Sequence, residues 1–308
     1  MDTVLITGGA GFIGSHLAEA CLRARLGVTV VDDLSSGKRS FVPAAATFYK
    51  LDMCSPKLKN LVTRIKPAYV CHLAAQTSVT HSQIDVTHDA QVNIVGSLNL
   101  LEAVSGLAVR KFLFVSSAAV YGEPSTIPTS ETESLNPQSP YALSKHTVER
   151  YLEYFATQRG LPTVVVRPAN VYGPRQGSGS EGGVVGLFAR AILRNDSLTI
   201  HGRGDQTRDY IYVGDVASGM LAALTQGTGV YNLSTGRDIS VRELVVRFGE
   251  VVGTVPRVTY DALPSGDLTR SALSPRRAER ELGWNPQVPL VEGLRLTLKW
   301  LRDNKKYL

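Results

Sequence analysis

Long apolar runs are missing from this chain of 308 residues. No stretch approaches the roughly 20 consecutive apolar residues of a bilayer-crossing helix, so no membrane partner is expected. The chain goes straight into Val4-Leu5-Ile6 without a basic segment or cleavable leader, which predicts a cytoplasmic protein. Cysteine is scarce: Cys21, Cys54 and Cys71 are an odd number without metal-ligand spacing. Cys21 falls in a helix-like run and Cys71 in a strand-like one, where a thiol fills core space. The six histidines form no H-x-x-x-H pair, and no metal is expected. Basic runs with interleaved aromatics are also missing. The net charge of +6 therefore does not predict a nucleic-acid partner. A pocket for a pyrophosphate would use such arginines equally well. Finally, no Pro-, Gly- or Ser-rich linker separates independent domains, and no internal repeat occurs.

What is present is the composition of a globular protein, 43% hydrophobic and 19% charged, long enough to bury a full core. Short apolar runs at Thr3–Thr7, Val28–Val31, Thr47–Leu51, Tyr69–Leu73, Lys111–Ser116 and Pro162–Arg167 alternate with helical patterns. That alternation predicts a parallel sheet covered on both faces. Ala90–Val104 and Tyr141–Thr157 read as long helices. After Tyr172-Gly173-Pro174 the character changes. A Gly/Ser-rich loop (Gln176–Gly183) leads into a helix pattern at Val184–Leu193. A strand pair is expected around Leu198–His201 and Thr207–Val213, then a helix at Val213–Leu224 and a mostly helical tail. The predicted fold is α/β: a doubly wound parallel Rossmann sheet with a smaller C-terminal α/β substrate lobe. The boundaries are 1–170 for the dinucleotide domain, with a returning segment near 205–238, and 171–308 for most of the lobe.

Thr7-Gly8-Gly9-Ala10-Gly11-Phe12-Ile13-Gly14 follows the first strand and opens a helix. Gly8 and Gly11 permit a tight turn and close approach to a pyrophosphate on the helix N-terminus, and Gly14 permits close helix–strand packing. The second strand ends in Asp32-Asp33, where a carboxylate can accept from an adenosine ribose. An acid there repels a 2′-phosphate and favours NAD over NADP. Farther on, Tyr141 and Lys145 stand at i and i+4 of a helix, on one face. An ammonium beside a phenol is expected to lower the tyrosine pKa toward the range of a general base. Taken alone, Ser116 and Ser117 read better as a polar strand end satisfying backbone groups than as catalytic residues.

These segments, with Ser116-Ser117-Ala118-Ala119-Val120-Tyr121-Gly122, resemble the extended short-chain dehydrogenase/reductase family, and in particular its UDP-glucose 4-epimerases. The resemblance runs nearly the whole chain. It implies NAD as cofactor, held by the Gly8, Gly11 and Gly14 loop with Phe12 and Ile13, and by Asp32, Asp33, Leu34, Ser36 and Gly37. It adds Asp52 and Met53, the turn Leu73, Ala74 and Ala75, then Asn93, Tyr141, Lys145 and Pro168. It implies Ser117, Tyr141 and Lys145 as catalytic residues: Tyr141 takes the sugar O4 proton, Ser117 aligns O4, and Lys145 holds the nicotinamide ribose. Ser116 is a cofactor neighbour or structural.

The implied partner is a UDP-sugar, bound by Ser117, Asn170, Val184, His201, Arg208, Asp267 and Ser271. His201 is equally an exposed strand-end histidine. Related dehydratases and decarboxylases carry an acid after the serine, where this chain has Ala118 and Ala119, so elimination is not expected. The family arginine is replaced by Pro264, and Arg270, Arg175 or Arg203 are candidates to compensate for a contact worth about 1.5–3 kcal/mol. Ser271 resembles a gate position where a small side chain admits an N-acetyl group. The resemblance also implies a homodimer through the Ala90–Val104 and Tyr141–Thr157 helices. Other readings are an epimerase of UDP-hexuronic acids and, from another class, a non-catalytic NAD-binding sensor.

Overall fold

The computed structural model describes residues 1–177, 183–262 and 268–308. Seven strands form one sheet in which every pairing is parallel. In chain order the first six are β1 (Thr3–Thr7), β2 (Gly27–Asp32), β3 (Thr47–Lys50), β4 (Tyr69–His72), β5 (Lys111–Val115) and β6 (Thr163–Pro168). The seventh, Gly229–Leu233, returns from late in the chain to pair with β6. Across the sheet the order is seventh, β6, β5, β4, β1, β2, β3. The direction of winding reverses between β1 and β4, which opens a crevice at their carboxyl ends.

Alternation along each strand feeds two cores. Val4, Ile6, Val28, Val30, Cys71, Leu113, Val115, Val164 and Val166 face one side, packed under α1 (Phe12–Arg23) and the Val213–Gln226 helix. Leu5, Val31, Val70, Phe112, Phe114 and Val165 face the other. There they meet α2 (Lys57–Ile65), the Gly96–Val104 helix and the Pro140–Arg159 helix. Successive residues of a strand point to opposite faces, so a run apolar at every position must be covered twice.

The long helix near the middle of the chain differs from its expected form. It begins at Val86, passes through one π-helical segment at Gln91–Val95, and resumes as α-helix over Gly96–Val104. The Pro140–Arg159 helix starts where its sequence dictates. Ser139 caps it by accepting from the Ala142 N–H (3.2 Å), Pro140 occupies the first turn, and Gly160 closes it in the left-handed region.

A third core holds the remaining elements together, with Phe188, Leu198, Tyr210, Leu244, Phe248, Leu294 and Leu298 at its centre. The predicted strand pair is not formed. Leu198–His201 pairs in parallel with Val258–Asp261, while Thr207–Arg208 pairs with Ile239–Ser240 and Arg270–Ser271. Tyr210–Tyr212 pairs with Asn170–Tyr172. Local apolar pattern identifies strands, but these partners lie tens of residues away, and pattern cannot choose among them. The Gln176–Gly183 loop lies largely outside the described residues, as do Pro264 and Asp267.

Candidate active site at the switch point of the sheet

The glycine loop turns tightly between β1 and α1. Gly8 has φ +70°, and a Cβ there would stand 2.6 Å from the Ala74 backbone nitrogen, so the loop lies against the β4 turn. A Cβ on Gly14 would fall 2.2 Å from the Gly8 carbonyl oxygen. Helix α1 starts at Gly11 with no side-chain cap, which leaves its first amides aimed into the crevice.

Asp32 holds this loop from the side, accepting from the N–H groups of Ala10 (2.9 Å) and Leu34 (2.8 Å). Burial pushes its carboxyl above the usual range, and those two amides draw it back. One bond on each oxygen leaves lone pairs for a ribose hydroxyl. Asp33 accepts from the N–H and hydroxyl of Ser35. Gly37 packs against Ala10, and Lys38 N–H donates to the Ala10 carbonyl (2.9 Å), so Leu34, Ser36 and Gly37 fold back onto the glycine loop. The Asp52 carboxylate caps the Cys54 N–H (2.7 Å), and the Met53 carbonyl accepts from Asn99.

Behind the β4 turn of Leu73, Ala74 and Ala75 lies a buried polar network that sequence reasoning missed. Asn93, in the π segment, accepts from Gln76 N–H (2.8 Å) and donates to the Gln76 carbonyl, the Asp89 carboxylate (3.0 Å) and Ser144 Oγ (3.1 Å). Asp89, 1% exposed, also accepts from the Gln76 side-chain amide (2.9 Å). A π segment is common at functional sites, and here it presents Asn93 to three elements at once. Asp89 stands four residues before Asn93 on the same helix face, the one signal of this arrangement in the sequence.

Tyr141, Lys145 and Ser117 converge at the ends of β5 and the Pro140–Arg159 helix. Lys145 Nζ donates to the Val115 carbonyl (2.9 Å) and stands 5.9 Å from the Tyr141 ring centroid. Burial lowers its pKa to about 8, against the opposing charges of Asp89 and Glu149. The expected lowering of Tyr141 is not found. Burial raises the phenol, the Ser117 hydroxyl beside it pulls it down, and the Asp89 charge raises it further. Desolvation is the largest of these and sets the direction. Ser117 begins the 3-10 turn Ala118–Tyr121, its Oγ accepting from Ala119 N–H (3.2 Å). Next to it the Ser116 hydroxyl is buried with no partner among the described residues.

The substrate-side residues fall into two groups. Asn170 N–H donates to the Asp209 carbonyl (2.9 Å), Asp209 N–H donates to the Ser271 carbonyl (3.0 Å), and Ser271 is the register partner of Arg208. Asn170, Arg208 and Ser271 therefore share one ladder just beyond Pro168. Val184 lies in the first turn of the Gly183–Arg194 helix, and His201, exposed, ends its own strand with Nδ1 at the Ala262 carbonyl (3.2 Å). Two of the arginines expected to compensate are already engaged by carboxylates: Arg175 by Glu19 and Arg270 by Asp238 (2.7 Å). Arg203 is exposed. Among the described residues no cluster of His, Cys, Asp and Glu is suited to a metal ion, and no helix is long and apolar enough to cross a membrane.

The uncapped amides of α1, the spare acceptor capacity of Asp32 and the orphaned Ser116 hydroxyl together fit a bound dinucleotide. The sequence model of the NAD dependent epimerase/dehydratase family matches residues 4–234. The UDP-glucose 4-epimerase of Mycolicibacterium smegmatis is 40% identical, the alignment covering 98% of this chain and 99% of that one. The UDP-glucose 4-epimerase of Thermotoga maritima, solved with UDP-glucose, superposes with a TM-score of 0.95 at 42% identity, covering 98% and 99% of the two chains. That of Thermus thermophilus, solved with NAD, gives 0.93 at 41% identity, covering 97% and 99%. This chain thus belongs to the NAD dependent epimerase/dehydratase family, and its chemistry is the NAD-dependent epimerisation or dehydration of a nucleotide sugar.

Proposed function

We propose that the protein is a UDP-hexose 4-epimerase that interconverts UDP-glucose and UDP-galactose through a transient 4-keto sugar. The observation that carries this reading is the turn after Ser117, where Ala118 and Ala119 offer only methyl groups. Dehydration needs a further proton donor at that place. Two buried carboxylates near Lys145 are occupied: Asp89 by Gln76 and Asn93, Glu149 by Arg167.

Tyr141 removes the O4 proton, and Ser117 aligns O4 against it. Bound NAD would supply a hydride acceptor for C4 and the source of a hydride for the opposite face of the 4-keto sugar once that sugar has turned over in the pocket, with no net consumption of cofactor. Lys145 keeps a cation next to the phenol and binds the nicotinamide ribose. The bond to the Ser117 hydroxyl is what opposes the effect of burial on Tyr141. Gly8, Gly11, Gly14, Phe12 and Ile13 take the pyrophosphate and Asp32 the adenosine ribose, while Asn93 and Pro168 border the nicotinamide end. Asn170 and Arg208 hold the nucleotide diphosphate and Asp267 accepts from a ribose or phosphate-linked hydroxyl, with Val184 and His201 at the uracil. The first 170 residues with the returning strand form the NAD domain, and most of 171–308 forms the sugar-nucleotide lobe. Ser271, beside Arg208, leaves space for an N-acetyl group at C2, so UDP-GlcNAc and UDP-GalNAc are accepted as well.

A homodimer fits the exposed apolar residues Val95, Leu143, Tyr151 and Tyr154 on the two helices expected to meet. Light scattering that returns the monomer mass would remove it. The sugar is tested by NMR of purified protein with NAD⁺ and UDP-Glc, UDP-Gal, UDP-GlcNAc or UDP-GlcA. Interconversion of the first two is expected. Turnover of UDP-GlcA alone would replace the reading with a uronic acid epimerase, and no turnover of any sugar would favour an NAD sensor.

A further inference from the structure

The chemistry above uses none of the charged groups buried beneath it. Glu149 and Arg167 are 5% and 4% exposed and form a two-point ion pair, Nε to Oε1 at 2.9 Å and Nη2 to Oε2 at 2.5 Å. Arg167 Nη1 also donates to the Tyr121 hydroxyl (2.9 Å), which in turn donates to Asn232 Oδ1 (2.8 Å). Asn232 Nδ2 continues the chain to the Thr129 carbonyl (3.0 Å), and Thr129 N–H donates to the Ala272 carbonyl (2.9 Å). Burying a full ion pair costs more than a hydrophobic pair of the same volume would, so its retention calls for a reason other than stability.

Position supplies that reason. Glu149 lies one turn beyond Lys145 on the same helix, and Arg167 directly precedes Pro168 and the substrate-side ladder. Tyr121 is the last residue of the turn that begins at Ser117. Ala272 follows Ser271. One hydroxyl therefore joins the serine turn to both the Lys145 helix and the substrate-side segment. The turn is four residues long, and its backbone bonds are local apart from Asn136 N–H to the Val120 carbonyl (3.0 Å). Ser117 Oγ accepts from the nearby Ala119 N–H and stands against the Tyr141 phenol. The Tyr121 hydroxyl is the side-chain anchor that ties this turn to β6 and the returning strand, and small displacements of a reacting group are costly.

We propose that Tyr121 is a positioning residue for Ser117: its hydroxyl, clamped between Arg167 and Asn232, sets where the Ser117 hydroxyl stands relative to Tyr141. The proposal rests on the epimerase reading and assigns Tyr121 no contact with sugar or cofactor. It separates geometry from stability, because Tyr121→Phe keeps the ring under the guanidinium (4.9 Å from Arg167 Cζ) and removes only the hydroxyl.

The test is a double-mutant cycle of Tyr121→Phe and Ser117→Ala, read as kcat and KM for UDP-galactose together with the NAD content of the purified protein. Tyr121→Phe is expected to lower kcat roughly tenfold, with KM and NAD content changed less than about twofold. In the Ser117→Ala background the same substitution is expected to have no further effect, since the group it positions is gone. Equal losses in both backgrounds would assign Tyr121 a purely structural role and overturn the proposal, as would an unchanged kcat. Asn232→Ala leaves Tyr121 in place but withdraws its acceptor. It should give the same kcat-selective loss and the same silence behind Ser117→Ala, and it serves if Tyr121→Phe does not fold. A wild-type protein without epimerase activity would reject the functional reading instead, an outcome distinct from an active wild type matched by an equally active Tyr121→Phe.

Discussion

The carboxyl edge of the seven-stranded sheet and the ladder that faces it are built on opposite terms. At the sheet edge the polar side chains are buried and tied to several partners: Asn93 spans Gln76, Asp89 and Ser144, and Arg167 spans Glu149 and Tyr121. On the ladder the strands are two or three residues long and Asn170 and Arg270 are exposed, as is His201 on its separate four-residue strand. A buried polar group fixes a position because every alternative leaves a donor or acceptor unpaired. An exposed one trades its partner for water at little cost. On the proposed function, reaction type is therefore set by the side with the buried polar groups, and substrate choice by the side where single residues change freely.

If that contrast holds, the largest single effect belongs to the sheet edge. Tyr141→Phe should lower kcat by about a thousandfold, the scale of a lost proton-transfer group, while NAD content stays at the wild-type level. A loss of less than about tenfold would mean that another group takes the O4 proton. For stability, Glu149→Gln leaves Arg167 charged and unpaired in the interior, and about 3–5 kcal/mol should be lost in denaturant unfolding. The matching change on the other side, Arg270→Ala, breaks an exposed pair with Asp238 and should cost less than about 1 kcal/mol. Similar values for the two variants would remove the distinction.

The two regions were also unequally legible. Strand positions in the sheet followed from apolar runs, because residues buried on both faces leave a continuous signal. The glycine loop was legible because its packing admits no side chain: a Cβ at Gly14 collides with Gly8. The partners of Leu198–His201 and Thr207–Arg208 were not, since two- to four-residue strands pair with segments set by the chain's overall course. Nothing in the sequence pairs Glu149 with Arg167, and only the fold brings them together across 18 positions. The direction of the Tyr141 shift was misjudged for a related reason. Spacing shows that Lys145 is near, but the extent of burial, which decides the sign, is a property of the packed state.

Acid should act on the buried histidines and the buried carboxyls with opposite signs. Burial holds His16 down to about 4 and His72 to about 3, from an unfolded value of 6.5. His72 ends a strand of the sheet, and His16 stands on α1 with Nε2 at the Pro174 carbonyl (3.0 Å). Their neutral forms contribute stability that is fully present above pH 6.5 and is lost as pH falls toward 4, on the order of 3 kcal/mol for a shift the size of that of His16. Asp209, at the ladder, is pushed up to about 6 by burial, so it gains stability as pH falls from 6 toward 3.8. Burial also raises Asp32, so two histidines stand against two carboxyls, and the large histidine shifts predict a net fall in the unfolding free energy between pH 6.5 and 4. Asp209→Asn should make that fall steeper. A pH-independent unfolding curve across the window would show that the histidines are not held neutral.

The smallest effect is expected at His201, and it probes the exposed side most directly. The ring ends a strand whose partner, Val258–Asp261, is exposed at all four positions, and its only bond among the described residues is to the Ala262 carbonyl. Nothing there fixes a catalytic geometry, so the imidazole can contribute only a face or an edge to the uracil. Stacking against a base is worth about 1–3 kcal/mol when both partners are ordered, and a solvent-facing ring belongs at the lower end. His201→Ala should therefore raise KM for the UDP-sugar about fivefold and leave kcat unchanged, the pattern of an interaction equal in the ground and transition states. A fall in kcat would instead tie the ladder to the reacting centre and erase the division between the two regions, while an unchanged KM would put the uracil elsewhere on the lobe.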